Sequence, residues 1–214
     1  HRRDSAFWHP WYPEHSRLLR AGWPEYRGQS GWAQVVLFGG RQKEENRFLL
    51  ERARSLAGES GKVLFVLPND YGGRSFHKEA EGVRENVSGR KSRLFVLTPT
   101  PSPQPLPLVE LQPNREGLAC CPGLFSWERA DRGSVLLLEA LQTVKLDGPV
   151  ADLGAGWGYL SQGLPPNLEL HLLEADKRGV AACHENVKGR KVHLHWCDLT
   201  DPATVPQELF GRFR

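Results

Sequence analysis

The sequence predicts an α/β protein of two tandem domains, each a parallel sheet flanked by helices, with the second domain incomplete. Three observations predict it. Strand-like and helix-like segments alternate through both halves, a proline-rich stretch divides them, and one short sequence recurs in each half. Strands that alternate with helices imply crossover connections, and crossovers imply parallel pairing.

Residues 1–33 carry Trp8, Trp11, Trp23 and Trp32 among His, Pro and Arg residues, with neither a strand nor a helix period. They read as an irregular aromatic arm, packed over the first domain in preference to stacking on bases. Residues 34–98 form that first domain. Val35–Phe38 reads as a strand, Lys43–Ala57 as a helix with Leu49, Ala53 and Leu56 on one face, and Lys62–Leu67 as a second strand. A helix near Ser75–Val87 and a strand at Arg93–Leu97 follow. Thr98–Pro113 then holds six prolines, which fits an extended linker, assigned to residues 99–116.

The second domain, residues 117–214, repeats the alternation: a helix over Ser134–Val144, a strand at Pro149–Leu153, a glycine-rich turn, and a helix from about Trp157. A strand at Leu168–Leu173, a helix at Lys177–Val187 and a strand at Lys191–Trp196 complete it. Glu85-Asn86-Val87-Ser88-Gly89-Arg90-Lys91 recurs as Glu185-Asn186-Val187-Lys188-Gly189-Arg190-Lys191. Each copy is placed after a helix and before a strand, which favours duplication.

Hydrophobic residues make up 39% of the 214 and charged residues 25%, a globular balance, and no apolar run reaches the roughly 20 residues of a membrane span. A net charge of +3 permits a polyanionic partner without demanding one. Cys120, Cys121, Cys183 and Cys197 include no C-x-x-C pair, so reduced thiols and a cytoplasmic location are expected. The start, His1-Arg2-Arg3-Asp4, has no apolar stretch behind it, so a secretory signal is not expected. Methionine is absent throughout, so the chain reads as an internal fragment or as one from which methionines have dropped out.

Val150-Ala151-Asp152-Leu153-Gly154-Ala155-Gly156-Trp157-Gly158 carries the chemistry. It sets an acid at a strand end and three glycines in the turn that opens a helix, where open parallel sheets bind ligands and where a backbone without Cβ atoms lets a ligand come close. A dinucleotide turn needs its third glycine one place later, where Tyr159 stands. Asp152 repels phosphate and suits a cation such as S-adenosylmethionine, which has a sulfonium and an ammonium. The next strand ends at Glu174, a carboxylate fit for ribose hydroxyls, and the third at Asp198, fit for an adenine amino group. Asp176 reads as a helix cap.

His193, His195 and Cys197 alternate along one strand face, but three ligands on a single strand splay too far apart to share an ion, so no metal is expected. Cys120 and Cys121 read as buried thiols rather than a nucleophile.

Taken with Pro122-Gly123-Leu124-Phe125-Ser126 and Asp131-Arg132-Gly133-Ser134, the motif resembles the bacterial small-subunit ribosomal RNA guanine-N2 methyltransferases. That family has two tandem Rossmann-like (class I methyltransferase) domains, of which the first has lost its cofactor motif. The turn Leu37-Phe38-Gly39-Gly40-Arg41 has no counterpart of Asp152 and fits such a degenerate copy. The resemblance implies S-adenosylmethionine as cofactor, held by Asp152, Gly154, Ala155, Gly156 and Gly158 at its methionine part, Glu174 at its ribose and Asp198 at its adenine. Phe125, Asp131 and Ser134 would line the site. It further implies a structured ribosomal RNA as partner and a monomer. Arg90, Lys91 and Arg93 are candidate phosphate contacts, although a solvated charged loop is the commoner meaning of such a run. The family's Asn-Pro-Pro-Phe motif does not occur here, so the resemblance carries over no catalytic residue and the chain reads as cut off before that motif. The alternative is a non-catalytic Rossmann-like module that binds a nucleotide or RNA; a nicotinamide oxidoreductase is disfavoured by the glycine spacing.

Overall fold

A computed structural model of the protein describes residues 4–213. The chain divides into two compact units: a larger one of residues 1–25 and 111–214, and a smaller one of residues 26–110.

The arm is not irregular. Helix α1 (Tyr12–Arg20) has proline in its first turn beside Glu14, and Arg17 and Arg20 in its last, the charge order a helix dipole favours. Residues up to 25 belong to the larger unit, with the second half of the sequence. This corrects the expected packing over the first domain. Tyr12 and His15 set their rings against Trp196 at 5.2 and 4.7 Å, an apolar partner far away in sequence that no local pattern announces. His1, Arg2 and Arg3 of the arm lie outside the described residues.

In the smaller unit, β1 (Trp32–Phe38), α2 (Lys43–Leu56) and β2 (Ala57–Pro68) form a parallel crossover. The chain then departs from the expected pattern. Residues 75–87 are not a helix: short 3-10 turns at Asn69–Tyr71 and Phe76–Lys78 lead to strand β3 (Val83–Gly89), which pairs antiparallel with β4 (Ser92–Leu97). The sheet is mixed, in the order β1-β2-β4-β3, with β4 antiparallel to β2. Gly89 pairs with Ser92, which leaves Arg90 and Lys91 as a two-residue loop with φ of 45° and 60°. Two left-handed residues in succession match the twist of a hairpin, and the turn decides this structure against the helix.

The recurring heptapeptide therefore lies in a hairpin in one unit and across the end of a helix in the other. It does not mark equivalent positions. A lysine at positive φ carries a strain of about 1 kcal/mol that glycine lacks. Lys91→Gly is expected to raise the unfolding midpoint slightly and Lys91→Val to lower it, as thermal denaturation will show.

The core of this unit gathers Leu50 and Ala53 of α2 with Val63, Phe65 and Leu67 of β2 and Phe95 and Leu97 of β4. Alternate residues of β2 point inward, the period of a half-covered strand. Residues 99–110 belong to this unit rather than forming a free linker: Leu106 N–H donates to Ser55 Oγ at 3.0 Å, and Arg52 Nε–H donates to Pro107 O at 3.1 Å.

The larger unit continues with the short pair β5 (Gln112–Pro113) and β6 (Ala119–Cys120), then α3 (Arg132–Leu141). Next come β7 (Val150–Leu153), α4 (Tyr159–Gly163), β8 (Leu170–Glu174), α5 (Lys177–Asn186) and β9 (Val192–Trp196). These three strands are parallel, in the order β7-β8-β9, as the alternation predicts. All five residues of β8 are buried, as befits a central strand covered on both faces. Leu170 and Leu172 pack with Cys183, Val187 and Leu168 on one side, while Leu173 meets Cys197 and Leu209 on the other. Among the described residues, no helix is long and apolar enough to cross a membrane.

Candidate cofactor site at the strand ends

β7 ends on Asp152-Leu153, and the chain turns through Gly154, Gly156 and Gly158 at φ of 76°, 57° and 84°. Each of these backbone conformations favours glycine. The space where a Cβ on Gly154 or Gly156 would point holds no atom within 4 Å, so the turn presents bare backbone. Gly158 is different: its absent Cβ would lie 3.2 Å from Cys183 Sγ, so this glycine serves packing against α5. Ala155 points into the core.

Glu174, at the end of β8, fastens the turn. Its Oε2 accepts from Gly156 N–H and its Oε1 from Asp176 N–H, both at 2.7 Å. Burial pushes its carboxyl above the usual range, against the pull of those backbone donors. Asp152 is likewise raised by burial, and its Oδ2 accepts from Ser161 Oγ at 2.6 Å. Asp198 follows β9 and is placed beside β8 by the Cys197 N–H bond to Glu174 O at 3.1 Å. Its Oδ1 accepts from Thr200 N–H and Oγ1, at 2.9 and 2.6 Å. In parallel register, Asp152 pairs with Leu172 and Glu174 with Trp196, so the three acids stand at neighbouring ends of one sheet.

Asp131 caps α3. It accepts from Gly133 N–H, Ser134 N–H and Ser134 Oγ, which hold its carboxyl below the usual range, the hydroxyl most of all. Phe125 is 76% exposed. No hydrogen bond ties Phe125, Asp131 or Ser134 to the glycine turn among the described contacts.

Sequence reasoning missed several supports. Gly179 lies where α5 closes on the turn: a Cβ there would stand 2.6 Å from Gly156 O. An isolated glycine in a helical pattern was the available signal. Asn186 donates to both Ala119 O and Trp157 O, at 2.9 and 2.7 Å. Asp176 caps α5 as expected, and it also grips the buried Arg178 guanidinium through both oxygens, while Arg178 reaches Pro122 O at 3.4 Å. All four cysteines are buried. Burial pushes Cys120 up to about 12 and raises Cys183 and Cys197, so these are thiols without nucleophilic character.

The smaller unit has no such turn. After β1, the Asn46 side chain accepts from Gly40 N–H and donates to Gly40 O, both at 2.8 Å, which ties the turn to α2. A cavity of about 550 Å³ in this unit is walled by α2 and Tyr71, with Leu67 and Phe76 at its apolar side. Two of its cations, Lys43 and Arg47, are held by Glu79, at 2.6 and 3.0 Å.

Residues 117–208, which hold the whole glycine turn and all three acids, match the family of the methyltransferase small domain. Ribosomal RNA small subunit methyltransferase C of Pseudomonas putida (strain W619) is 30% identical over 173 residues, 74% of this chain and 51% of that protein. Its namesake from Vibrio cholerae is 26% identical over 175 residues, 75% of this chain and 51% of that protein. The chain thus spans about half the length of the curated relatives it matches. A solved structure of a T. thermophilus 16S rRNA N2 methyltransferase (RsmC), in complex with AdoMet and guanosine, superposes with a TM-score of 0.62 at 21% identity. It covers 88% of this chain and 58% of that one, and shows the fold. The methyltransferase small domain and these relatives bear out the resemblance carried by residues 122–198.

Proposed function

We propose that this chain is the cofactor-binding part of an S-adenosylmethionine-dependent methyltransferase acting on RNA, at the exocyclic N2 amine of a guanine in small-subunit ribosomal RNA. The observation that carries the reading is the open glycine turn flanked by three carboxylates at successive strand ends. The relatives' names supply the reaction class and the nucleic acid.

The residues present fit the cofactor. Asp152 and the bare backbone of Gly154 and Gly156 face its cationic methionine part, with Gly158 packed on α5 and Ala155 holding the turn down in the core. Glu174 accepts from the ribose, with lone pairs left after its two backbone bonds, and Asp198 receives the adenine amino group. When bound, S-adenosylmethionine supplies an activated methyl group. The chain's own residues bind and orient it, and Phe125, Asp131 and Ser134 line the approach. The smaller unit is the degenerate tandem copy, its turn tied to α2 by Asn46. Arg90, Lys91 and Arg93 are its phosphate contacts, the protein is a monomer, and it works in the cytoplasm.

Ultraviolet cross-linking of methyl-labelled S-adenosylmethionine, followed by peptide mapping, tests the assignment. Label is expected within residues 150–198. Label confined to residues 26–110, or displaced by ATP as readily as by S-adenosylhomocysteine, overturns it.

A pH dependence follows from the buried acids. Asp152 and Glu174 are both raised by burial, so they take up protons above the ordinary carboxylate range. A cation binds the ionised forms, so affinity falls with pH earlier than a solvent-exposed carboxylate would dictate, and binding releases protons in that window. For the free protein the sign reverses: the folded state holds these protons more tightly, so the two groups favour folding less as pH rises through the raised values. Calorimetry in buffers of different ionisation enthalpy reads the proton release directly.

A further inference from the structure

We propose that Glu169, His171 and His193 form a binding site for a divalent transition metal, zinc by the chemistry of its donors, that staples β8 to β9. A single strand cannot gather these ligands; two strands in register do. His171 and His193 are direct partners across the parallel pair; their rings stack at 4.5 Å and 16°, so the half-exposed His193 ring must turn to bring its in-plane Nε2 lone pair onto an ion shared with the buried His171. Glu169 stands just before β8.

One oxygen of Glu169 faces both imidazoles. Its Oε1 lies 3.2 Å from His193 Nε2 and 3.4 Å from His171 Nε2, and the three ligand atoms all fall within 4.8 Å of one another. A tetrahedron with bonds of ~2.0–2.1 Å has edges of about 3.3 Å, so two of the three ligand separations already suit a zinc ion. Two imidazoles and a carboxylate are a borderline, nitrogen-rich set that selects zinc over calcium or magnesium.

The surroundings support the ligands. His171 is buried, and its Nδ1 sits 3.2 Å from His195 Nε2. With the proton on Nδ1 donated to His195, the Nε2 lone pair is turned to the site, the arrangement that orients metal-bound histidines. A cation already stands there: Arg212 donates to the same Glu169 Oε1 at 2.7 Å, while Lys191 takes the other oxygen at 2.6 Å. The Arg212 side chain is 37% exposed and holds a different Glu169 oxygen from Lys191, so a metal ion at Oε1 competes with Arg212 and not with Lys191.

The site lies at the start of β8, roughly 10 Å along the strand from Glu174. Its role is therefore to fix strand pairing, and it stands or falls independently of the methyltransferase reading.

Titration of the untagged, metal-free chain with Co(II), without S-adenosylmethionine, tests it. One equivalent is expected to bind with a visible d–d band of low coordination number and no thiolate charge-transfer band in the near ultraviolet. Zinc should displace the cobalt and raise the unfolding midpoint. His193→Ala, at an exposed position that leaves the fold intact, should weaken binding by more than about 100-fold, beyond the effect of losing a supporting group alone. Arg212→Ala should tighten binding, because it removes the competing cation, a gain that a merely structural arginine would not give. Absence of saturable binding, a thiolate band, or unchanged affinity in His193→Ala overturns the proposal.

Discussion

Arg178→Met is expected to destabilise the larger unit by about 3–5 kcal/mol, the cost of leaving one partner of a buried ion pair unmatched. The guanidinium and the Asp176 carboxylate are 7% and 8% exposed, and they meet through Nε and Nη2 at 3.0 and 2.7 Å. Removing the cation strands a buried carboxylate with the Arg178 backbone N–H as a donor at 2.9 Å. It also releases the Pro122 carbonyl, and with it the segment that precedes Phe125. Chemical denaturation measures the loss. The double variant Arg178→Met, Asp176→Ala should recover part of it, because the stranded charge is gone.

Gly179→Ala is expected to separate cofactor binding from folding. Its Cβ would lie 2.6 Å from the Gly156 carbonyl oxygen and 2.8 Å from Glu174 Cγ, distances no relaxed structure tolerates. Both groups that the Cβ meets belong to the turn and its fastener, so their displacement strains the Gly156 N–H bond to Glu174. Alanine gains about 1 kcal/mol over glycine in a helix, which offsets part of the roughly 1–3 kcal/mol of overpacking. Global stability therefore changes little, while affinity for S-adenosylmethionine should fall by at least about tenfold, two of its contact residues being displaced. Equilibrium dialysis and denaturation on the same sample show whether the two effects part company.

The glycine turn and its acids were legible because their information is local. A strand end, a left-handed turn and a helix start leave a contiguous trace, and parallel register then sets Asp152, Glu174 and Asp198 side by side without further instruction. The β3–β4 hairpin was not legible. Its loop is Arg90-Lys91 rather than an Asn-Gly or Asp-Gly pair, so the sequence lacks the usual sign of two left-handed residues, and the segment before it reads as a helix instead. The arm was misread for a different reason. Its nine-residue helix is held by Trp196 and by Lys177 N–H donating to Pro10 O at 2.8 Å, partners more than 150 residues away. The histidine cluster shows the same limit: along β9 alone its members diverge, and only the neighbouring strand supplies His171.

The central claim rests on a cationic adenosine cofactor at the glycine turn, and isothermal calorimetry with S-adenosylmethionine, NAD and the Asp152→Ala variant tests it most directly. The predicted result is saturable binding of S-adenosylmethionine, none of NAD, and loss of binding when the Asp152 carboxylate is removed. Binding of NAD, or binding of S-adenosylmethionine that is indifferent to Asp152, would contradict the account.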